Sequence, residues 1–159
     1  MNHRTVRRAT ADDAAELLRL RQIMIESMRH EPAPTDWQDA SLPRLRKELA
    51  DQDGNFAVFV GEHPDGGGKL GTMVAGTIDY RIGGPPAPLG DRGHIFGVVT
   101  EPDARRLGAA RACTVALLDW FRERGVAQVD LSASADAEPL YASLGFVCRD
   151  EPAMRLNLT

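Results

Sequence analysis

The chain has 159 residues, of which 43% are hydrophobic and 26% charged, the composition of a globular protein with one domain over residues 1–159 and a substantial core. A net charge of -4 without any long basic run argues against nucleic acid as a partner. The longest apolar run is far shorter than the ~20 residues of a membrane span, so no membrane partner is expected. Cys113 and Cys148 lie far apart without metal-ligand spacing, which favours a reduced, cytoplasmic setting and no metal site.

The first third of the chain has mainly helical patterns. A short strand is expected at 6–9. Apolar residues at helical spacing then predict a helix over 11–29, although Arg21 interrupts its apolar stripe. After a proline-rich break, a second helical segment is expected up to about residue 51. It begins again near Pro43, because proline is tolerated in a first helical turn.

Strand patterns occupy the middle of the chain. Strands are expected at 55–62 and 70–82, and the glycine-rich segment 63–69 between them is typical of a hairpin loop. A third strand is expected at 93–100. The connection 83–90 is rich in glycine and proline, and it forms either one wall of a substrate opening or a solvated loop.

The last third alternates between helix and strand. A long helix is expected to end at Arg124, followed by a strand at 128–133 and a short helix at 136–144. Strands at 146–148 and 154–158 are expected to close the chain as a hairpin. Since hairpins come first and a strand–helix–strand crossover follows, the predicted class is α/β with a mixed sheet.

The stretch from Val98 to Arg111 joins the third strand to the long helix and has the features of an anion site. The first N–H groups of a helix lack partners, and the helix dipole there attracts negative charge. Arg105 and Arg106 precede that helix, where their charges oppose the dipole unless an anion binds. Small residues at 108–110 allow a ligand to approach the backbone closely. The stretch therefore predicts a cradle for a pyrophosphate.

Two segments of the chain match the motifs of one family. Residues 105–110 read Arg-Arg-Leu-Gly-Ala-Ala, as in the acyl-CoA motif Arg/Gln-x-x-Gly-x-Gly/Ala that follows a strand. Residues 134–146 read Ser-Ala-Asp-Ala-Glu-Pro-Leu-Tyr-Ala-Ser-Leu-Gly-Phe, as in the pattern Asn-x-x-Ala-x-x-Leu-Tyr-x-x-x-Gly-Phe. The opening at 8–13 is also similar. Over nearly its whole length the chain resembles the GCN5-related N-acetyltransferase (GNAT) superfamily.

This resemblance implies a GNAT fold. Its central sheet is mixed, mostly antiparallel and of about six to seven strands, with helices on its faces and a splay beside 98–100. It also implies an acyl-CoA-dependent N-acyltransferase that uses acetyl-CoA as donor and a primary amine of a small molecule or peptide as acceptor. The amine would attack the bound thioester directly in a ternary complex. The residues expected to bind the donor are Val98, Val99, Thr100, Arg105, Arg106, Leu107, Gly108, Ala109, Ala110, Ser134 and Tyr141. Ser134 replaces the usual Asn, which makes its contact with CoA weaker or water-mediated.

The resemblance also implies catalytic roles. Tyr141 would protonate the departing thiolate, because a phenol of pKa ~10 suits a thiol of somewhat lower pKa. A backbone N–H near Val98 or Val99 would polarise the thioester carbonyl. Glu101 is the candidate general base, with His94, Glu62, Asp79 and a water chain as open alternatives.

Two further questions stay open at the level of sequence. A non-catalytic acyl-CoA sensor or regulatory subunit is the alternative to an enzyme, and a nucleotide-binding domain of another class is a remote one. Since many relatives are dimers, a second subunit that completes the cleft remains open as well.

Overall fold

The computed structural model describes residues 6–159. The strands are β1 (Val6–Arg8), β2 (Phe56–Glu62), β3 (Leu70–Tyr80), β4 (Asp91–Thr100) and β5 (Val129–Leu131). The helices are α1 (Ala14–Arg29), α2 (Trp37–Ala50), α3 (Ala109–Glu123) and α4 (Glu138–Ser143), with single 3₁₀ turns at Ala11–Asp13 and Pro102–Ala104. These bounds confirm the predicted elements up to residue 144. None of the helices in this described part is both long and apolar enough to cross a membrane.

One sheet organises these elements, in the order β1-β2-β3-β4-β5. The first four strands pair antiparallel, and β5 pairs parallel to β4 after the crossover through α3. The predicted mixed, mostly antiparallel α/β sheet is thus confirmed. The crossover places α3 on the face opposite α1 and α2, so both faces of the central strands are covered.

The predicted count of six to seven strands is wrong, because the described residues form five. The missing strands are those expected at 146–148 and 154–158. Residues 147–159 form no helix or strand and have no backbone hydrogen bond to any described residue. A strand pattern is a local property, whereas a strand also needs an edge to pair with. Within residues 6–159, this segment pairs with no strand of the sheet.

Two apolar clusters lie on the two faces of the sheet. The cluster under α1 and α2 includes Leu17, Leu20, Val60 and Met73, and the one under α3 includes Val74, Ile95, Leu117 and Phe121. Gly76 on β3 allows α3 to lie close to the sheet, since a Cβ there would be 2.9 Å from atoms of Leu117 and Phe121. Burial of these large side chains supplies the main stabilisation of the fold.

The second helix is continuous, whereas the sequence predicted that it begins again near Pro43. Pro43 lies inside α2, which spans Trp37–Ala50. The proline removes a single backbone donor. Leu42, Leu45 and Leu49 on either side of it pack against the α1-side cluster, which holds the helix together across that position.

Candidate functional site

The site begins where two neighbouring strands separate. Pairing between β4 and β5 runs from Gly93–Val129 to Ile95–Leu131 and stops there. β4 continues to Thr100, so its last residues have no strand on that side within residues 6–159. The predicted splay is therefore present. It leaves backbone N–H and C=O groups that an extended, amide-bearing ligand can bind as an added strand would.

A β-bulge lies in β4 next to this opening. Met73 faces Val99 and Ala75 faces Phe96, so one residue of β3 faces both Gly97 and Val98. Gly97 has a positive φ of 59°. The bulge inserts one residue into β4, so the side chains that follow it are shifted by one position relative to β3.

The bulge corrects one expectation. Simple alternation predicts that His94, Phe96 and Val98 share one face of β4. His94 and Phe96 do stack, with ring centroids 6.1 Å apart. Phe96, however, packs against the α1-side cluster and Val98 against the α3-side cluster. The extra residue in the bulge shifts the alternation. Sequence reasoning missed Gly97, although a lone glycine inside a strand pattern is a known signal of a bulge.

The predicted anion cradle lies directly after the splay, at the N-terminus of α3. Gly108 is the N-cap, with a φ of 76°, and the first turn of α3 contains no acidic residue. The first intrahelical bond runs from the N–H of Ala112 to the carbonyl of Gly108, 3.0 Å. The amides of Ala109, Ala110 and Arg111 come before that bond and point out of the helix end. This arrangement suits a phosphate group.

The two arginines of the cradle are exposed. Arg106 has a φ of 63°, a left-handed conformation that costs an ordinary residue ~1 kcal/mol or more. The Arg105 side chain reaches back to the carbonyl of Thr100, with Nε 3.5 Å away. The turn therefore carries two exposed cations, and the backbone of Arg106 has a conformation that is intrinsically unfavourable for arginine.

Tyr141 lies on α4 beside β5. Its ring is buried, at 4% exposure, and it meets Phe146 edge-on with centroids 5.8 Å apart. A hydrogen bond of 2.6 Å from Arg111 Nη1 to Ser143 Oγ joins α4 to the first turn of α3. Burial raises the pKa of Tyr141 above its ordinary value. The phenol therefore stays protonated near neutral pH, as a proton donor requires.

Ser134 lies in the turn before α4 with its side chain exposed. Its carbonyl accepts bonds from the N–H groups of Ala137 and Glu138, at 3.1 and 3.0 Å. The backbone of Ser134 thus helps to position the helix that carries Tyr141.

Glu101 lies at the end of β4 inside a cluster of cations. Its Oε1 is 3.2 Å from Arg19 Nη1 and 3.2 Å from Lys69 Nζ, and its Oε2 is 3.4 Å from His63 Nε2. Burial alone would raise the pKa of Glu101, but the hydrogen bond from Lys69 and the charge of Arg19 outweigh it and lower that pKa. A carboxylate stabilised in this way accepts a proton poorly.

The other candidate bases lie away from the splay. His94 faces Asp130 in the paired part of β4 and β5. Asp79 faces Arg92 at the opposite end of β4 from the splay. Glu62 ends β2, two strands away from β4.

Arg21 is the residue whose position the sequence did not reveal. It lies on α1, and its Nη1 is 4.0 Å from the place that a Cβ on Gly97 would occupy. It has no carboxylate partner among residues 6–159 within ion-pair distance. The interruption of the apolar stripe was its only signal in the sequence. The guanidinium group of Arg21 therefore lies beside the bulge, on the α1 face of the sheet.

Comparison with known proteins agrees with this arrangement. The model of the acetyltransferase (GNAT) family matches residues 19–146. A mycothiol acetyltransferase of Saccharomonospora viridis is 34% identical over 106 residues, which cover 64% of this chain and 32% of that protein. The chain thus spans about a third of the length of this relative.

Solved structures show the same fold. A predicted acetyltransferase of Clostridium acetobutylicum with acetyl-CoA superposes with a TM-score of 0.80 at 23% identity, covering 97% of this chain and 96% of that one. A GCN5-related N-acetyltransferase of Ralstonia eutropha has a TM-score of 0.72 at 25% identity, with coverages of 96% and 97%. An aminoglycoside N-acetyltransferase in complex with CoA has a TM-score of 0.72 at 17% identity, with coverages of 99% and 96%. Because the family model matches residues 19–146, which is most of the chain, the chain belongs to the acetyltransferase (GNAT) family.

Proposed function

We propose that the protein transfers the acetyl group of acetyl-CoA to an amine by direct attack in a ternary complex. The observation that carries this proposal is the continuity of two binding features. The open edge of β4 ends at Thr100, and the uncapped N-terminus of α3 begins at Gly108. A donor with a pyrophosphate at one end and an amide-bearing arm at the other matches both features in that order.

The residues that would hold the donor follow from this geometry. The amides of Ala109 and Ala110 would bind the pyrophosphate, with Arg105 and Arg106 adding charge from the turn before them. The free edge of β4, 96–100, would pair with the amides of the arm. When bound, acetyl-CoA supplies an activated acyl group as a thioester.

Two groups of the chain are proposed to assist the transfer. The N–H of Val98 or Val99, next to the bulge at Gly97, would donate to the thioester carbonyl oxygen as charge develops on it. As the amine forms the new C–N bond and the C–S bond breaks, the hydroxyl of Tyr141 would protonate the departing sulfur. The raised pKa of Tyr141 keeps that proton available.

Glu101 remains the residue to test as the base that takes the amine proton. Its ion pairs with Arg19 and Lys69 support a structural role, with water as the proton acceptor. Replacement by Gln separates the two roles. Glu101→Gln should lower the melting temperature in either case, because it removes the ion pairs with Arg19 and Lys69, but only the loss of a catalytic base would also flatten the dependence of kcat/KM on pH. A structural carboxylate would lower the melting temperature and leave the shape of that dependence unchanged.

The acceptor is proposed to carry an anionic group beside its amine. Arg21 supports this, because it presents a cation without a carboxylate partner beside the bulge at Gly97. We expect Arg21→Gln to raise the KM of such an acceptor about tenfold, the value of one charge-assisted hydrogen bond, without changing the KM of acetyl-CoA. Arg29→Gln, which removes an exposed arginine at the C-terminal end of α1 that pairs with Glu31, is the control. Equal effects of both changes would refute the assignment.

The decisive experiment uses the two tyrosines of the chain, Tyr80 and Tyr141. Thiol release from acetyl-CoA is measured with a panel of amino acids, polyamines, aminoglycosides and peptide N-termini, and CoA affinity by calorimetry. Tyr141→Phe should lower kcat about 100-fold with unchanged CoA affinity. Tyr80→Phe, at a residue that is 78% exposed, is the control and should change neither kcat nor CoA affinity. Full turnover by Tyr141→Phe would contradict the acid role, and CoA binding without turnover on any amine would favour a non-catalytic sensor.

A further inference from the structure

The β2–β3 hairpin buries a histidine that the proposed mechanism does not use. His63 follows β2 directly, and its side chain is only 1% exposed. Its backbone N–H donates to the carbonyl of Lys69, 2.8 Å, and its carbonyl accepts from the N–H of Gly66, 3.0 Å. Because the ring is buried and its backbone is bonded on both sides, the two ring nitrogens point in fixed directions.

The contacts of these nitrogens define where the proton of the neutral ring lies. Nδ1 of His63 accepts a hydrogen bond from the backbone N–H of Asp65, 3.1 Å. A neutral imidazole that accepts at Nδ1 carries its proton on Nε2. Asp65 Oδ2 is also 3.4 Å from Nδ1, but that side chain is 77% exposed and is therefore well hydrated. His63 thus offers an N–H group at Nε2 from a buried position.

One acceptor faces this N–H group. Glu101 Oε2 lies 3.4 Å from His63 Nε2, and residues 6–159 provide no other partner for either of these buried atoms. An unpaired buried polar atom is costly, which favours a direct contact between the two. Oε1 of the same carboxylate is already paired with Arg19 of α1 and Lys69 of the hairpin loop. The carboxylate is therefore held at both oxygens.

Glu101 also begins the turn that leads into the cradle. Its backbone N–H donates to the carbonyl of Gly71, 2.8 Å, and its carbonyl accepts from the N–H of Ala104, 2.8 Å. Ala104 is buried against β3, since a Cβ on Gly71 would lie 2.9 Å from Ala104 Cβ. The other residues of 102–108 are exposed. The position of the turn therefore depends on Glu101 and Ala104.

We propose that His63 is a positioning residue of the donor site, which holds the turn before the cradle through its contact with Glu101. The effect on the donor rests on the proposed function, whereas the hold on the turn does not. A turn that is fixed before binding lowers the ordering cost of capturing a pyrophosphate. Loss of the contact should therefore weaken CoA binding and leave the chemical step unchanged.

Two substitutions separate the roles of the ring nitrogens. His63→Asn keeps an acceptor near Nδ1 and removes the group that faces Glu101, whereas His63→Gln places an N–H donor near the position of Nε2. His63→Asn should raise the dissociation constant of CoA and the KM of acetyl-CoA about fivefold with kcat unchanged. This is less than the full value of a hydrogen bond to a charged group, because Arg19 and Lys69 still hold Oε1. His63→Gln should recover most of the affinity.

Ile78→Val is the control for a general loss of stability. Ile78 is buried and faces Gly93, at the opposite end of β3 from the pair Thr72–Thr100. This variant should bind CoA as the wild type does. Equal CoA affinity in His63→Asn and wild type would overturn the proposal, and so would a loss of affinity that His63→Gln shares in full.

A second set of measurements needs no donor, so it separates this inference from the proposed function. Hydrogen exchange of the Ala104 amide, followed by NMR, reports how firmly the turn is held. Protection should fall in His63→Asn and stay close to the wild-type value in His63→Gln. Nitrogen NMR spectra of the wild type at pH 8 should show the proton of His63 on Nε2, which tests the contact even if a variant does not fold.

The outcomes are distinguishable. A wild-type protein that binds no CoA refutes the proposed function, and the exchange of the Ala104 amide then decides whether His63 holds the turn. A His63 ring with its proton on Nδ1 and none on Nε2, or unchanged protection of Ala104 in His63→Asn, would overturn the inference whichever activity the protein has.

Discussion

The left-handed conformation of Gly97 gives a sharp test of the site, because the structure separates backbone strain from crowding. A Cβ at this position would lie 3.7 Å from Ala75 Cβ and 3.9 Å from Met73 Cε, which are ordinary contacts. Gly97→Ala therefore has room for its methyl group. Alanine is strained at a φ of 59°, so the substitution should lower the free energy of unfolding by about 1–2 kcal/mol. For a chain of this size that corresponds to a fall in melting temperature of roughly 2–8 °C.

Gly66→Ala is the matched control. Gly66 has a φ of 72°, it lies in the β2–β3 hairpin loop, and an added Cβ there would have nothing within 4 Å. Both variants should lose similar stability in urea unfolding. Only Gly97→Ala should lower turnover and acetyl-CoA affinity, since only Gly97 lies in the bulge beside the proposed donor site. Gly97→Asn should lose less stability than Gly97→Ala, because Asn adopts the left-handed region of φ more readily than Ala. If Gly97→Ala loses no stability, or Asn costs as much as Ala, the positive φ is not required and the reasoning fails.

Two other predictions concern titratable groups. The bond from Arg7 to Asp13, and the cations around Glu101, lower the folded-state pKa of each carboxyl below its unfolded value. Their stabilisation is therefore present above the ordinary carboxyl range near pH ~4 and is lost as pH falls through the folded pKa values. Urea midpoints measured down to low pH should fall less steeply for Asp13→Asn than for wild type, whereas Asp12→Asn, at an exposed neighbour, should match wild type. Burial raises the pKa of the Cys113 thiol to about 12, and the hydrogen bond to Glu138 also raises the pKa of Cys148, but only Cys148 is exposed to reagent. Mass spectrometry after iodoacetamide at pH 8 should find one modified thiol, at Cys148, in the native protein and two in denaturant. If Cys113 in the native protein reacted as fast as Cys148, the prediction would be wrong and α3 would open readily in solution.

Local patterns were sufficient for most of the fold. Helical and strand periodicity predicted every helix and the strands up to β5, because each pattern reports which side of one element is apolar. The cradle was also predictable, since its glycine, small residues and arginines lie within a few positions of each other around Gly108. The family motifs in the same stretch indicated the donor.

Features that depend on two or more distant segments were not accessible in this way. The bulge at Gly97 is a matter of register with β3, and one extra residue there reversed the expected face of Val98. Glu101 looked like a free carboxylate at a strand end, but Arg19 on α1 and Lys69 in the hairpin loop meet there only in the folded chain. Such long-range ion pairs decide the pKa of a carboxyl and leave no mark on its immediate sequence.

The sequence by itself determined the class of fold, the family resemblance and the strand-like alternation at 154–158. Tertiary structure decided where the sheet ends, where β4 has its bulge, and that the last segment pairs with no strand within residues 6–159. The physical reason is the range of the interactions. Propensity and alternation act between near neighbours, whereas strand pairing, ion pairing and burial depend on which segments meet once the core has formed.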